Sequence, residues 1–556
     1  MKTTEKSLFS NEKFQKKDGQ MINKFLTIIA SFLFLLTVPW MCSGEKLTIL
    51  HVNDTHSHLY PFGPFNRYGG IARMSSLIKS LKGEGENVLT FHAGDVFVGT
   101  FAFNKYLGYP ELNMMEGLYD AMCLGNHEFD LGIDTLTAVL GGIISGGKPI
   151  TLPILCANID WEKAGKGHPL RNFVQPYMVL DVGVLKVGLV GVVTTDPYNY
   201  SDEVNAILTD PYQAAGQAAD ILKNQEGCDI VICLSHLGKM PDVAGLSQVP
   251  GIDIIVGGHS HDALFKPIQV NGKIIVQAGE FGKYLGELKV EVEVGNCQVK
   301  LIDYKLHSIN RRVRRDFRLL PELFKLRMGI YRDPRFGPVY TRRVARARWD
   351  LEERWEEGNP HRDTPLGNLI SDAIKAEVKK YGYPVDFALE ANGYIGHKIY
   401  RGRVVGNDVL RSVPYGYDLI SGLGFKIKTV LLAGAQILAG LEYTVSMVEY
   451  TDDLSLQASG LTFEYDSSKP PAPLGEFSRL DPASVRINGE PVNPEGLYWV
   501  ALNEQLASLL KSLGMVPFDE KKTGLFEYNV VRDFMRKMRR LSYTSEGRII
   551  DTALEK

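Results

Sequence analysis

Between Gly125 and Asp130 the chain reads GNHEFD, which packs an amide, an imidazole and two carboxylates into five consecutive positions. The four residues before it, Ala121 to Leu124, are apolar. A buried strand that ends at a glycine would set these coordinating and proton-handling groups at its carboxyl edge, where open α/β sheets keep their sites. Taken alone, the motif also fits a polar turn in which Asn126 caps and His127 faces solvent. Four further clusters behind apolar runs decide for chemistry: Asp54 and His56 in NDTH, Asp95 in AGD, His236 in LSHLG, and His259 with His261 in GGHSH. Nine of the 12 histidines lie between His51 and His261, so the enrichment belongs to the first half of the chain. Imidazole nitrogens mixed with carboxylate and amide oxygens suit divalent transition metals such as Zn, Mn or Fe. Seven candidate ligands (Asp54, His56, Asp95, Asn126, His236, His259 and His261) are too many for one tetrahedral ion and suit two ions sharing a carboxylate. Asp95, alone at its strand end, is the expected bridge. The D-x-H and H-x-H pairs have i, i+2 spacing, which in an extended segment puts both side chains on one side, so each pair is expected to grip one ion.

The elements that must carry these groups follow from hydrophobic runs. With 556 residues the chain exceeds what one core usually organises, and two domains are expected. Leu47 to Val52, Val88 to Ala93, Ala121 to Leu124, Ile154 to Cys156, Val187 to Val193, Ile230 to Ser235 and Ile252 to Val256 are short Val/Ile/Leu-rich runs separated by helix-permissive sequence. Strands alternating with helices argue for an α/β layered domain, expected over 45–309. Between Arg311 and Arg348, 13 Lys or Arg face 3 acidic residues, which reads as a solvated basic linker (310–335) or as a basic face near an anionic ligand. A second α/β unit is expected over 336–556. Its candidate elements are an amphipathic helix near Leu366 to Val378, a Gly-rich loop from Asn392 to Gly396, an apolar helix from Val430 to Tyr443, and strands near Gly460 to Tyr465 and Tyr498 to Leu502. A net charge of −3 with 23% charged residues gives no reason to invoke nucleic acid as a partner.

From Met21 the chain has a cationic start at Lys24, an apolar stretch from Phe25 to Val38 and a small-residue exit at Ser43 and Gly44, the layout of a secretory signal. Export is expected, to a periplasmic, cell-surface or extracellular location, with residues 1–44 as extension and signal and Met21 a candidate start. An uncleaved membrane anchor and a lipid on Cys42 are the alternatives. Cys123, Cys156, Cys228, Cys233 and Cys297 are spread singly and, all but Cys297, sit in apolar runs, so they read as buried hydrophobes and not as a zinc site or disulfide framework, with a single bridge left open.

The ordered set D-x-H, G-D, G-N-H-E, H and G-H-x-H resembles the calcineurin-like metallophosphoesterase superfamily. The segments LTILHVNDTHSHL, FHAGDVFVGT, YDAMCLGNHEFDLG, IIVGGHSHD, TPLGNLISDAI, VPYGYDL and LQASGLTFEYD resemble its secreted 5′-nucleotidase branch. The resemblance covers nearly everything from Lys46 onward. It implies a mixed α/β (α+β) fold: an N-terminal four-layer αββα sandwich, a helical linker and a smaller C-terminal α/β nucleotidase-type domain that grips the substrate. Carried over by position, one ion would be held by Asp54, His56, Asp95 and His261, the other by Asp95, Asn126, His236 and His259. His127, oriented by Asp130, is then left free to stabilise the transferred phosphoryl group or protonate the leaving oxygen. The ions would lower the pKa of a bound water to about 7, giving the hydroxide that attacks phosphorus.

The implied activity is hydrolysis of phosphomonoesters, nucleotide to nucleoside and phosphate. Alternatives on the same scaffold are a 2′,3′-cyclic-nucleotide phosphodiesterase, a nucleotide-sugar hydrolase, and a non-catalytic exported binding protein. The implied partner is a small phosphoester, with membrane contact only through an uncleaved signal or lipid. Asn392, Tyr415 and Arg362 are the expected substrate contacts. The second half departs from the family in two places. A G-G-G-I-R segment is expected to supply an arginine, and this chain has Asn392, Gly393, Tyr394, Ile395 and Gly396 there. The second base-clasping aromatic falls where this chain reads Asn503, Glu504 and Gln505. A weakened nucleoside clamp is therefore expected, unless Tyr394 or Tyr417 restores the slot and Arg362, Arg401, Arg403 or the basic linker supplies the missing charge.

Overall fold

A computed structural model describes residues 44–554 except 197–198, 294–297, 355–361 and 450. The signal-like segment with Cys42, and Cys297, lie outside the described residues. All seven apolar runs of the first half contain strands. One sheet runs, in spatial order, Gln298–Ser308, Tyr284–Glu293, Gly44–Val52, Val88–His92, Ala121–Cys123, Ile154–Leu155 and Val174–Gln175. The other runs Ile268–Val270, Lys273–Val276, Ile254–Gly257, Ile230–His236, Leu185–Val193 and Tyr177–Val182.

The period of two in a strand sorts side chains between two different cores. Leu47 and Ile49 enter the core between the sheets, with Phe91, Leu189 and Ile232, while Leu50 and Val52 face outward against Ile78 and the helix Gly132–Leu140. In the second sheet Ile230, Ile232 and Leu234 point inward, while Val231 and Cys233 meet Ala215 and Ala218 of the helix Pro211–Asp220. Both faces of both sheets are covered, which is why these strands read as unbroken apolar runs and not as alternating ones. The layers stack helix, sheet, sheet, helix. Cys123, Cys156, Cys228 and Cys233 are free and buried.

The basic stretch is more than a solvated tether. Its helix Leu320–Arg332 buries Leu323, Leu326 and Ile330 in a core shared with Phe101 of the first half and Leu410 of the second. In the second half, a five-stranded sheet in the order Leu456–Ser459, Phe387–Ala391, Leu497–Asn503, Lys426–Ala433 and Asp519–Phe526 lies between the helix Pro365–Lys380 and the helices Gly434–Ser446 and Glu504–Ser512. Thr364 starts the first of these helices by accepting a hydrogen bond from the Gly367 amide. The expected helix over Val430 to Tyr443 is corrected. Val430 to Ala433 end a strand paired on both sides, and the helix starts at Gly434. The apolar run continues across the strand-to-helix corner, so hydrophobicity alone could not divide it. Among the described residues no helix is long and apolar enough to cross a membrane.

Candidate metal centre and active site

The strand ends of both sheets converge. Asp54 and His56 follow Gly44–Val52, Asp95 follows Val88–His92, Asn126 follows Ala121–Cys123, His236 ends its strand, and His259 and His261 follow Ile254–Gly257. Two ligand groups result, Asp54 with His56 and His261, and Asp95 with His236 and His259. His56 Nε2 is 3.1 Å from His261 Nε2, and His261 Nε2 is 3.5 Å from Asp54 Oδ1. Asp95 Oδ2 stands between the groups, 3.1 Å from His236 Nε2 and 3.7 Å from His56 Nε2, the position a bridging carboxylate needs. The spacing argument holds for Asp54 and His56 and fails for His259 and His261, which join different groups. Its premise of an extended backbone is wrong as well: Asp54, His56, Asp95, His259 and His261 all have φ between 44° and 72°. Left-handed backbone is costly for residues with a Cβ and persists where the surroundings over-determine it.

Those surroundings are specific. His56 Nδ1 donates to Phe97 O (3.1 Å), His236 Nδ1 to Ala93 O (2.6 Å) and His261 Nδ1 pairs with Glu280 Oε2 (2.8 Å). Each bond fixes the tautomer and turns the Nε2 lone pair toward its group. Asp54 Oδ2 accepts from Asn53 Nδ2 (2.6 Å) and the His259 amide (3.0 Å). One buried atom at the centre, the acceptor Asn126 Oδ1, makes no hydrogen bond. Orphaned acceptors are expensive to bury, and a cation beside them removes the cost. The donor set therefore fits two divalent transition ions. Burial would lower the His236 and His261 imidazoles, but Asp95 and Asp54 outweigh it and hold them up at about 9 and about 10, so the two carboxylates attract positive charge here.

His127 is in neither group. Its Nδ1 is 2.9 Å from Asp130 Oδ2, its Nε2 is 4.0 Å from Asp95 Oδ2, and its ring stacks on Tyr415 with centroids 4.9 Å apart. Burial disfavours its charge, yet Asp130 and Asp95 raise its pKa to about 9. Glu128 has no free proton-handling role. Its carboxylate reaches back to accept from the amides of Asp95, Val96, Phe97 and Gly125, at 2.6 to 3.1 Å, and straps two ligand loops together. Gly125 permits this approach, since a Cβ there would stand 2.5 Å from the Asp95 amide nitrogen.

The centre opens onto a cavity of about 270 Å³ closed from the second half by Arg354, Tyr394, Tyr415, Phe425 and Asp453. Of the expected substrate contacts only Tyr415 lines it. Asn392 is buried, donating to Asp452 Oδ1 and accepting from Gln457, and Arg362 is off the cavity, its carbonyl accepting from Gln457. The reason is local. The short turn Asn392–Tyr394 presents Tyr394 to the cavity and folds Asn392 under it. Gly396 cannot carry the family's arginine, because a Cβ would lie 2.6 Å from Pro414 Cγ and 2.8 Å from Arg411 O. Arg354, which sequence reasoning passed over, supplies the guanidinium, paired with Asp453 at 3.1 Å. Tyr394 and Phe425, edge to face at 5.6 Å, restore an aromatic wall. Tyr417 turns away, bonding to Asn104 O, and Arg401 and Arg403 lie off this cavity. Glu280, Arg354 and Phe425 carried no motif. Glu128 did, and only its direction was illegible.

An αββα sandwich with two candidate His/Asp metal groups at its strand ends, facing a cavity capped by a second α/β unit, has the donor sets that a two-metal phosphoesterase needs. Residues 47–263 match the calcineurin-like phosphoesterase family and residues 345–511 the 5′-nucleotidase C-terminal domain. The chain is 28% identical over 543 residues to the trifunctional nucleotide phosphoesterase protein YfkN of Bacillus subtilis, covering 91% of this chain and 35% of that protein. It is also 28% identical over 545 residues to the 5′-nucleotidase of Diplobatis ommata, covering 91% and 90% of the two chains. The crystal structure of a 5′-nucleotidase precursor from Thermus thermophilus superposes with a TM-score of 0.76 at 28% identity, over 91% of this chain and 100% of that one. The chain belongs to the 5′-nucleotidase family and is a metal-dependent phosphoesterase.

Proposed function

We propose that this protein hydrolyses the phosphomonoester of a nucleotide, releasing nucleoside and phosphate, after export from the cytoplasm. The observation that carries the reading is that both ligand groups and His127 face the same cavity as Arg354, Tyr394, Tyr415 and Phe425, so one ligand can meet phosphate-handling and base-stacking groups together. Asp54, His56 and His261 would hold one ion and His236, His259 and Asn126 the other, with Asp95 shared. Bound there, the ions supply Lewis-acid stabilisation and a water of lowered pKa. The protein's own part is positional. Asp130 fixes the His127 tautomer, so that Nε2 faces the reacting phosphoryl group and can hand a proton to the leaving oxygen. Arg354 holds an anionic oxygen, and the aromatic wall excludes water and stacks the base. Export is supported by the cationic, apolar and small-residue order from Met21 to Gly44.

The aromatic wall changes the sequence-based expectation of poor base discrimination: a strong preference for AMP is expected. The test compares kcat/KM of the metal-loaded protein on AMP, ribose 5-phosphate and a base-free aryl phosphate, with Tyr415→Ala alongside. Stacking is worth about 1–3 kcal/mol, so the substitution should cost AMP roughly tenfold or more and the aryl ester little. Equal rates on all three substrates would sink the nucleotide reading. Diester hydrolysis is the second reading, favoured by the similarity to a trifunctional nucleotide phosphoesterase. Faster turnover of a 2′,3′-cyclic nucleotide than of AMP would put it first.

A further inference from the structure

A second cavity, of about 290 Å³, shares no lining residue with the catalytic one. Its walls come from three parts of the chain: Ser57 to Asn66 with Thr100, then Arg327 to Thr341, then Arg403 to Arg411. Three arginines face it, Arg327, Arg403 and Arg411, against one carboxylate, Asp408. Asp408 is already engaged by Arg411 and by the Val405 amide. Arg411 is 7% exposed, and the Nε atoms of both Arg327 and Arg411 are buried without a hydrogen-bond partner. Of the Phe and Tyr rings lining it, Tyr60 and Phe62 are covered by guanidinium groups, Arg327 over Tyr60 at 4.1 Å and Arg411 over Phe62 at 5.4 Å, while Tyr331 and Tyr340 pack edge to face on each other at 5.2 Å. Stacking fixes the planes of Arg327 and Arg411, while Arg411 also holds Asp408 and Arg403 donates to Thr341 O (3.0 Å), so the guanidinium N–H groups still open to the cavity favour a tetrahedral oxyanion. Three guanidinium groups against one carboxylate that is already engaged leave an excess of positive charge around the cavity, which water does not compensate and a dianion does.

We propose that this cavity is a second anion site, built for a phosphate group, free or carried on a small metabolite, and pinned between the two halves of the molecule. Part of the basic stretch, Arg327, acquires a ligand role in this way. Binding of labelled inorganic phosphate to the metal-loaded full chain tests it, with Arg354→Gln, Arg327→Gln and Arg411→Gln as variants. Wild type should bind two phosphates per chain. Arg354→Gln should weaken one class, while Arg327→Gln and Arg411→Gln should each weaken the other by roughly tenfold or more, with metal content and circular dichroism unchanged. If Arg411→Gln does not fold, Arg327→Gln decides alone. Competition then identifies the source: displacement of the second class by ribose 5-phosphate at lower concentration than by sulfate marks a phosphorylated metabolite, and equal displacement a free oxyanion. A single class of phosphate in wild type, or a second class untouched by Arg327→Gln, overturns the proposal.

Discussion

Asp95 is the residue on which both ligand groups depend, since one of its oxygens lies within 3.7 Å of a histidine nitrogen from each. Asp95→Ala should therefore empty both metal sites and abolish turnover, whereas His127→Ala should keep about two ions per chain and lose rate by roughly a hundredfold or more. Metal analysis beside kcat separates the two. Retained metal in the first variant, or lost metal in the second, would reverse the roles assigned here. At this scale the sequence was most informative for metal chemistry: Asp54, His56, Asp95, Asn126, His127, His236, His259 and His261 are polar residues at the ends of apolar strands, and their clustering is visible without coordinates. Glu280 and Arg354 were invisible for a physical reason. Each works through one long side chain reaching across a loop, which leaves no spacing pattern in the chain.

The strap formed by Glu128 belongs to the scale of elements, because it joins the loop after Val88–His92 to the turn after Ala121–Cys123. All four of its partners are amide donors, so only a group that accepts at both oxygens fits. Glu128→Gln places an N–H against two N–H groups and should destabilise nearly as much as Glu128→Ala, by about 3 kcal/mol or more given ~1–3 kcal/mol for each buried donor left unpaired. Chemical denaturation of both variants checks this, and a Gln variant as stable as wild type would show that the strap is dispensable. Elements were legible where burial is two-sided and uniform, as in Ile230–His236. They were not where an apolar run turns a corner, as at Ala433 and Gly434, because burial continues while the backbone period changes from 2 to 3.6.

Across the whole molecule, a buried carboxyl pair outside the metal-ligand groups sets a pH dependence of its own. Burial pushes Glu390 up to about 7 although Glu527, Ala391 and Asn503 hydrogen-bond it, and burial together with Glu390 raises Glu527 well above the usual carboxylate range. Both folded-state values exceed the unfolded ones, so the native state binds these protons more tightly. The contribution of Glu390 is complete below about pH 4.5 and is lost as pH rises through about 7, and that of Glu527 is lost in the same direction. The thermal midpoint should fall from pH 5 to pH 8 more steeply in wild type than in Glu390→Gln. Parallel curves for the two proteins would remove the pair from the account.

The ligands of the metal centre are spread from Asp54 to His261 and divided between two sheets that pack through their inner faces. Each ligand group draws on both sheets, Asp54 and His56 with His261 and Asp95 with His236 and His259, so neither group is complete until both sheets have paired and docked. Metal is thus a lock set after assembly and not a nucleus for it: added zinc or manganese should leave the refolding rate as it is and slow unfolding alone.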